Sequence, residues 1–510
     1  MRAIARFLTC AALAASCTLP AAAAAPNAPA RPVDPLAGVP KDAITHHSIA
    51  LPGGRLTYTA RAGTIVIRNA DEKPQATMFY TAYTLDGANP KTRPVTFFYN
   101  GGPGSATLWL RMGSFGPVRV QTGNGTMTKP APFVLADNRY TLLDASDLVF
   151  VDMPASGFGR ILPGGDAKKI FGSDNDVNAF NQFVQRYITA NGRWNSPKVL
   201  FGESYGTPRT AMLVNSLQNA GVGVNGIVLQ SSILNDALAS SETYGGANTD
   251  DWQYVFALPT MAATAYFYHA VPGAPPTLSA YMKDVQAFAM GEYREALNQG
   301  ANLSPGRFDS IAAKLHRYTG LSELYIRNND LRMTAQRFLA EFRRSHAQTV
   351  GAYDARFRLY ALDQEAEFPQ LEPSDASIDA AYIGMTNDYL RTTLGYKTNL
   401  PYLTGAYAAI QAAGGWDFTH QGGLPLNSAP DLAQAMTYNP GLRIFSANGW
   451  YDSVTPFLAT VYTLDHLQIQ KPLLKNITYG FYPSGHMIYL NPDALAVFHA
   501  DLERWYKTLR

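Results

Sequence analysis

The sequence predicts an α/β protein with a mostly parallel central sheet and helices on both of its faces. Between residues 140 and 236, short apolar runs of the buried-strand type alternate with segments of helical periodicity such as 173–190. This alternation favours parallel pairing, because each helix carries the chain back to the same end of the sheet. The predicted buried strands are 147–151, 198–201 and 226–230, and a strand at 441–446 resumes the pattern before a closing helix.

Two other stretches depart from this alternation. Residues 47–100 contain several short strands with turns between them, whereas residues 237–435 contain helices and Pro-rich turns. We therefore predict a core in two parts, 44–236 and 436–510, with 237–435 as a mainly helical insertion over one edge of the sheet. The short strands expected are 55–60, 63–67, 76–83 and 94–99, and the helices expected in the insertion are about 251–268, 276–298, 306–318 and 330–346.

Residues 1–25 have the pattern of an export signal. A positively charged start precedes a mostly apolar run, which ends in alanines that offer small-residue cleavage sites. The apolar run is too short and too interrupted for a membrane span. We expect a secreted or periplasmic protein cleaved near Ala25, with a mobile Pro/Ala-rich leader at 26–43. The alternative is lipidation at Cys17, within a poor match to a lipoprotein cleavage site.

Composition excludes several kinds of function. The chain of 510 residues is 46% apolar and 16% charged, as in ordinary globular proteins. Both cysteines, Cys10 and Cys17, lie in the predicted signal, so the mature chain would have no disulfide, thiolate nucleophile or cysteine metal site. Cleavage lowers the 41 basic residues to 39, equal to the 39 acidic ones, which gives no case for nucleic acid as a partner. We expect no cofactor and no metal, and the sequence specifies no oligomeric state.

The segment Gly202-Glu-Ser-Tyr-Gly206 indicates a serine nucleophile. It follows a predicted strand and precedes a predicted helix. In that context a sharp turn exposes the serine hydroxyl, and glycines relieve crowding on both sides, as in the nucleophile elbow of the α/β-hydrolase fold. Ser204 is therefore the candidate nucleophile. The alternative is a Gly-rich turn that only joins two elements.

A serine nucleophile needs a base and an acid that orients the base, and in this fold they follow in the order Ser, acid, His. Asp452 lies just beyond the strand at 441–446, and His486 lies in a loop before the closing helix. Ser204, Asp452 and His486 are therefore the predicted catalytic triad. His420, in another Gly-containing loop, is the alternative base.

A second glycine motif, Asn100-Gly-Gly-Pro-Gly104, directly follows the strand at 94–99. A Gly-rich turn at the end of a strand can direct backbone N–H groups at a developing oxyanion. The motif lacks the Lys-Ser/Thr ending of a phosphate loop, which argues against nucleotide binding. The alternative is again a tight turn.

The sequence contains five short blocks, which are 97–105 with Gly116-Pro117 downstream, Leu148–Gly159, Gly202–Gly206, Asn448–Asp452 and Gly485–Met487. Together these blocks resemble the serine carboxypeptidase family and occur in that family's order. The resemblance implies an enzyme that hydrolyses C-terminal peptide bonds, with peptide or protein C-termini as substrate. Ser204 would attack the bond, His486 would act as base and then as acid, and Asp452 would orient His486.

The same resemblance implies roles for the residues around the nucleophile. The backbone N–H groups of Gly102 and Tyr205 would form the oxyanion hole. Asn100, the Gly101 N–H group and Glu203 would bind the terminal carboxylate of the substrate. Glu203 can do so only when protonated, because two carboxylates so close to each other resist joint ionisation.

The sequence departs from the family pattern at two positions. Ser114 stands where the family usually has a second glutamate, and Ser105 stands where it has a cysteine. The missing glutamate weakens the case for carboxypeptidase activity, although a serine hydroxyl at Ser114 could still donate a hydrogen bond to the substrate. Arg111 is a candidate substitute cation, or else a solvated helix residue.

Two other functions stay open at this point. An esterase or an acyltransferase could use the same triad on a different substrate. A non-catalytic binding protein could retain the fold, but the intact set of Ser204, Asp452 and His486 argues against it.

Overall fold

The computed structural model describes residues 34–239 and 251–509. The predicted export signal, both cysteines and the first part of the leader lie outside these residues. A central sheet organises the rest. The strands are β1 (Ala43–Leu51), β2 (Gly54–Arg68), β3 (Pro74–Leu85), β4 (Val95–Tyr99), β5 (Val118–Val120), β6 (Leu135–Asp137), β7 (Asp147–Val151), β8 (Lys198–Glu203), β9 (Gly226–Gln230), β10 (Gln348–Val350), β11 (Arg358–Tyr360), β12 (Arg443–Gly449) and β13 (Ile477–Tyr482).

Helices occupy most of the remaining described chain. The α-helices are α1 (Leu108–Gly113), α2 (Ser173–Ala190), α3 (Gly206–Asn219), α4 (Asp236–Ala239), α5 (Trp252–Phe267), α6 (Leu278–Phe288), α7 (Arg294–Gln299), α8 (Pro305–Thr319), α9 (Glu323–Asn328), α10 (Ala335–Glu341), α11 (Pro373–Asp388), α12 (Tyr407–Ala412), α13 (Ala429–Tyr438), α14 (Phe457–Asp465), α15 (Lys471–Leu474) and α16 (Pro492–Tyr506). Short π-helical turns extend α6 at Ala289–Tyr293 and α11 at Tyr389–Thr393.

The central sheet has nine strands in the order β1-β2-β3-β7-β4-β8-β9-β12-β13. The three strands at one edge pair antiparallel, and the neighbours from β7 to β13 pair parallel. The predicted mostly parallel sheet with flanking helices is thereby confirmed. Parallel strands end at one edge of the sheet, so the loops after β4, β8, β12 and β13 converge there.

Hydrophobic side chains cover the two faces of the sheet in turn. Phe98 and Phe97 are adjacent in β4 and point to opposite faces, as successive residues of a strand must. On one face Phe98 and Phe201 pack with their ring centroids 4.8 Å apart, next to Phe498 of α16. On the other face the cluster includes Phe97 and residues of α2, α3 and α13.

A third hydrophobic cluster lies among helices of the predicted insertion. It joins α5, α6 and α8 to Phe457 of α14 in the core. Other residues of the same insertion pack elsewhere, because Ile378 of α11 and Leu432 of α13 belong to the clusters on the two faces of the sheet. The residues between 237 and 435 thus contribute to all three clusters.

Three expectations about single elements need correction. The strands expected at 55–60 and 63–67 form one strand, β2, which pairs without interruption through Gly63. Gly63 suits this position because a Cβ there would lie 2.3 Å from Oδ1 of Asp42. The helix expected at 330–346 begins only at α10, since Asp330 and Leu331 have positive φ of 51° and 64°. The strands β10 and β11 form a small hairpin where only helices and turns were expected.

In residues 34–239 and 251–509, none of the helices combines the length and the apolar character needed to cross a membrane.

Candidate active site

Ser204 lies in a strained turn between β8 and α3. Its φ is 60°, in the left-handed region that side-chain-bearing residues seldom adopt. Such a conformation costs about 1–3 kcal/mol and persists only where the surroundings enforce it. Glycine is needed beside it, because a Cβ at Gly202 would lie 2.1 Å from the carbonyl oxygen of Gly206. The turn therefore has the form of a nucleophile elbow.

The glycine motif after β4 packs directly against this elbow. A Cβ at Gly101 would lie 2.3 Å from the backbone nitrogen of Tyr205, so only glycine allows the approach. Gly102 follows with φ of 108°. Within the described chain, the backbone N–H groups of Gly102 and Tyr205 donate no hydrogen bond. Both are thus available as donors close to Ser204.

Asp452 and His486 form a buried pair, with 2.8 Å between Oδ2 of Asp452 and Nδ1 of His486. Asp452 is fixed in turn, because Oδ1 accepts from the backbone nitrogen of Thr455 at 3.0 Å and Oδ2 accepts from the Thr455 hydroxyl at 2.6 Å. The carboxylate selects the tautomer that has its proton on Nδ1, which leaves Nε2 free to act as a base.

Ser204 and His486 are linked through Gln230. The Ser204 backbone nitrogen donates to the Gln230 carbonyl at 3.1 Å, and Gln230 Nε2 donates to the His486 carbonyl at 3.2 Å. The described residues show no hydrogen bond between the Ser204 hydroxyl and the His486 ring. Catalytic hydrogen bonds are often long without substrate and tighten when it binds.

Glu203 is buried directly beneath the elbow. Its carboxyl oxygens accept from Asn100 Nδ2 at 2.6 Å, from Gln230 Nε2 at 2.7 Å and from the Tyr489 hydroxyl at 3.3 Å. Burial raises the pKa of Glu203 to about 7, although the charge of His486 and these hydrogen bonds act in the opposite direction. A carboxyl group with this pKa is largely neutral at acid pH.

Three carboxyl groups act on His486. Burial by itself lowers the pKa of His486, but the charge and hydrogen bond of Asp452, with the charges of Glu203 and Asp375, raise it overall. Asp375 lies in the first turn of α11. Its own pKa is raised to about 7 by burial and by the nearby charges of Asp379 and Glu372.

The two expectations for Arg111 are both wrong. Arg111 is only 1% exposed, so it is not a solvated helix residue. Its guanidinium donates to Asp152 Oδ1, to the Thr81 hydroxyl and to the Tyr402 hydroxyl, each at 2.9 Å. These partners occupy it within the core, so it is not a free cation for substrate.

The expectation that the Ser114 hydroxyl donates to the substrate is also wrong. Ser114 is fully buried at the end of α1, and its hydroxyl donates to the Leu110 carbonyl at 2.6 Å. A serine in the last turn of a helix commonly bonds back in this way. Ser105, at the other departure from the family pattern, donates to the Ala106 carbonyl at 3.0 Å.

His420 is not placed to act as the base. Its two ring nitrogens lie 2.6 Å from Oδ1 of Asp174 and 2.8 Å from Oδ2 of Asp431. Asp174 is on α2 and Asp431 on α13, so His420 joins two helices that pack on one face of the sheet.

Sequence reasoning missed several residues at this site. Thr455 follows Asp452 by three residues and could have been recognised as a hydroxyl that fixes the carboxylate. Gln230 ends a predicted strand next to β8, a position that also pointed to the site. Tyr489 and Asp375 carried no local signal, since only tertiary packing brings them to Glu203 and His486.

The fold and this geometry define the class of protein. A mostly parallel sheet, a strained serine between β8 and α3, and an Asp–His pair on loops after later strands make up the α/β-hydrolase architecture.

Comparison with known proteins shows which family part of the chain resembles. Residues 52–261 match the family model described as serine carboxypeptidase. The chain is 25% identical over 221 residues to serine carboxypeptidase-like 13 of Arabidopsis thaliana, covering 39% of this chain and 46% of that protein. Serine carboxypeptidase-like 16 of the same plant is 24% identical over 174 residues, covering 33% and 38%. These matches confirm the resemblance to the serine carboxypeptidase family, and the chain spans less than half the length of either relative.

Comparison with solved structures also found similar chains. A prohormone-processing carboxypeptidase from Saccharomyces cerevisiae has a TM-score of 0.47 and 14% identity, covering 88% of this chain and 91% of that one. A proline iminopeptidase from Mycobacterium smegmatis has a TM-score of 0.36 and 15% identity, covering 88% and 98%. Asp452 and His486 lie beyond the region matched by the family model, so their assignment depends on the geometry described above.

Replacement of the predicted triad residues tests that assignment. Ser204→Ala should lower kcat about 10⁴-fold or more, and Asp452→Asn and His486→Ala should each cause a large loss. Combining either substitution with Ser204→Ala should lower kcat little further, because the effects of residues that act as one unit are non-additive. The measurements are turnover and labelling by a fluorophosphonate. Retention of more than a few per cent of activity by folded Ser204→Ala would contradict the assignment.

The structural role of Arg111 is tested by stability. Arg111→Met leaves Asp152 buried without its cationic partner and should lower the free energy of unfolding by about 3–5 kcal/mol, measured in urea. The double variant Arg111→Met/Asp152→Asn is the control and should recover part of that loss. A raised KM with unchanged stability would instead show that Arg111 binds substrate.

Proposed function

We propose that this protein is a serine carboxypeptidase that releases C-terminal residues from peptides through an acyl-enzyme on Ser204. The observation that carries the proposal is the buried Asn100–Glu203 pair, with 2.6 Å between Asn100 Nδ2 and Glu203 Oε1, directly beside the strained Ser204. A neutral carboxyl group and a carboxamide in this position suit a substrate whose charged terminus lies one residue beyond the cleaved bond.

The proposed chemical steps use Ser204, His486 and two backbone N–H groups. Nε2 of His486 takes the proton of the Ser204 hydroxyl as the oxygen attacks the scissile carbonyl carbon. The negative charge that develops on the carbonyl oxygen is stabilised by the N–H groups of Gly102 and Tyr205. His486 then gives its proton to the leaving amine, and the C–N bond breaks. Water repeats the sequence on the acyl-enzyme, which releases the shortened peptide and restores Ser204.

Recognition of the terminal carboxylate depends on the proton of Glu203. The Asn100 side chain is held in one orientation, because its Oδ1 accepts from the Leu110 backbone nitrogen at 3.2 Å while its Nδ2 faces Glu203. Arg209 also donates to the Asn100 carbonyl at 2.7 Å. Neutral Glu203 can donate a hydrogen bond to the substrate, whereas ionised Glu203 repels it. Gly101 supplies its N–H group to the same carboxylate.

An esterase with the same triad is the second candidate. The observation that favours it is Ser114, whose hydroxyl is used within α1 where the family usually has a second acid. Only one acid of the usual pair then remains to select a free carboxylate.

The proposed substrates lie outside the cytoplasm. Residues 1–25 have the pattern of an export signal, and peptide or protein C-termini would be available in the periplasm or the medium.

A matched pair of substrates separates the two candidates. A peptide with a free C-terminus should be cleaved with a kcat/KM at least about tenfold above that of its C-terminal amide, because the amide lacks the charge that Asn100 and Glu203 recognise. Released amino acid or amino-acid amide is measured by mass spectrometry. Equal rates for the two peptides would contradict the carboxypeptidase and favour the esterase.

The pH dependence of KM tests the role of Glu203. With its pKa raised to about 7, Glu203 is neutral below that pH and ionised above it. KM for a free-acid peptide should therefore rise above pH 7, by up to about tenfold per pH unit, and stay flat in Glu203→Gln, which does not titrate. Steady-state kinetics between pH 5 and 9 provide the measurement, with the amidated peptide as control. The same rise in Glu203→Gln would show that another group binds the carboxylate.

A further inference from the structure

Residues 352–356, which we call the brace, lie in the loop between β10 and β11 of the predicted insertion. The brace lies about 100 residues before Asp452 and about 130 residues before His486 along the chain, yet it contacts the loops that carry both. The contacts include backbone hydrogen bonds, side-chain hydrogen bonds, a ring contact and a buried ion pair within the brace.

Backbone hydrogen bonds join the brace to the Asp452 loop. The Ala355 nitrogen donates to the Tyr451 carbonyl at 3.1 Å, and the Ser453 nitrogen donates to the Ala352 carbonyl at 2.9 Å. The residues on either side of Asp452 are thus both bonded to one short segment, which fixes the position of the backbone at Asp452.

The same segment holds the His486 loop. The His486 nitrogen donates to the Tyr353 carbonyl at 2.6 Å, and the Gly485 nitrogen donates to Oδ2 of Asp354 at 3.1 Å. The approach is so close that a Cβ at Gly485 would lie 2.2 Å from the Tyr353 carbonyl oxygen. The Tyr353 ring also packs on the His486 ring, with 5.3 Å between their centroids.

A buried ion pair makes the brace rigid. Arg356 Nη2 donates to Oδ2 of Asp354 at 2.6 Å, and the side chains of the two residues are 5% and 0% exposed. The same guanidinium reaches the Ser484 hydroxyl at 3.2 Å and Oδ1 of Asn124 at 2.5 Å. Asp354 thus bonds both to Arg356 and to the residue before His486.

Burial of this pair is not explained by stability alone. Removing two charges from water costs several kcal/mol per ion, and apolar side chains of similar volume are often as stable or more so. The pair also fixes the orientation of both side chains, because a planar guanidinium and a carboxylate bond each other in a fixed geometry. In that orientation Arg356 donates to the Ser484 hydroxyl, and Asp354 accepts from the Gly485 nitrogen.

We propose that Asp354 and Arg356 are positioning residues that hold the His486 loop against the Asp452 loop, so that the imidazole stays aligned between Asp452 and Ser204. The inference rests on the proposed triad. It gives a part of the predicted insertion a direct role in the chemistry, because a displacement of about 1 Å at a catalytic group can cost about a hundredfold in rate.

The test uses the second-order rate of fluorophosphonate labelling of Ser204, which needs the triad but no peptide substrate. Ser484→Ala removes only the bond from Arg356 and no charge. Arg356→Lys keeps the charge but loses the planar fork, and Asp354→Asn breaks the ion pair. We expect labelling to slow about two- to fivefold in Ser484→Ala and about ten- to a hundredfold in the other two. In peptide hydrolysis kcat should fall with KM within about twofold.

The pH profile of labelling provides the readout that a loss of stability alone would not change. The charged groups that act on His486 are Asp452, Glu203 and Asp375, of which Asp452 has the largest effect and raises its pKa. A looser contact with Asp452 lowers that pKa, so the rise of labelling with pH should move to lower pH in the variants.

Asp147→Asn is the matched control. Asp147 forms a buried ion pair with Arg93 and Arg193 at the start of β7, at the opposite end of the sheet from the triad. The Asp147→Asn substitution should lower the thermal unfolding temperature without changing the labelling rate or its pH profile.

The proposal would be overturned if Ser484→Ala and Arg356→Lys fold and keep the native labelling rate and pH profile. This conclusion holds even if Asp354→Asn fails to fold. If the labelling rate and its pH profile change equally in Asp147→Asn, the changes reflect lost stability alone, and the proposal is overturned as well. A native protein that fluorophosphonate does not label would overturn the triad, and with it the role of the brace.

Discussion

The site depends on one close approach between two backbone segments. The glycine loop after β4 touches the turn after β8 at Gly101, where a Cβ would lie 2.3 Å from the Tyr205 nitrogen and 2.7 Å from the Gly206 nitrogen. Because no side chain fits between them, the loop and the elbow are fixed relative to each other. This contact places the backbone donor at Gly102 beside the one at Tyr205, and Asn100 beside Glu203. The strain at Ser204 is maintained by the same packing.

In the proposed mechanism, electrostatics in this buried volume links recognition of the substrate to catalysis. His486 would have to be neutral to take a proton, which higher pH favours, and Glu203 would have to be neutral to bind a carboxylate, which lower pH favours. Each ionised form favours the opposite charge on the other group, since the charge of Glu203 raises the pKa of His486 and the charge of His486 lowers that of Glu203. Their titrations therefore belong to the pair, and activity depends on a window between two coupled steps.

Much of this arrangement could be predicted from short patterns. The α/β class, the elbow at Ser204 and the placement of Asp452 and His486 on loops after strands all follow from local signals, because a strand end and its loop are adjacent in sequence. Side chains whose partners are distant in sequence could not be predicted. In the sequence Arg111 resembles an ordinary polar helix residue, because its partners Asp152, Thr81 and Tyr402 come from other parts of the chain. Ser114 is a different case, since its hydroxyl bonds to a carbonyl of its own helix, as a serine at a helix end commonly does.

The brace shows the same limit and has a consequence for how the chain is divided. In the sequence, residues 352–356 look like a loop inside a predicted insertion, and only packing reveals that they are bonded to the loops that carry Asp452 and His486. A movable cap would be expected to contact the core through side chains that can separate. Here backbone groups on both sides of Asp452 and at His486 are already paired with the brace, so moving it would leave buried polar groups without partners, at about 1–3 kcal/mol each. The hydrogen bonds of the brace therefore favour its staying with the loops that carry Asp452 and His486.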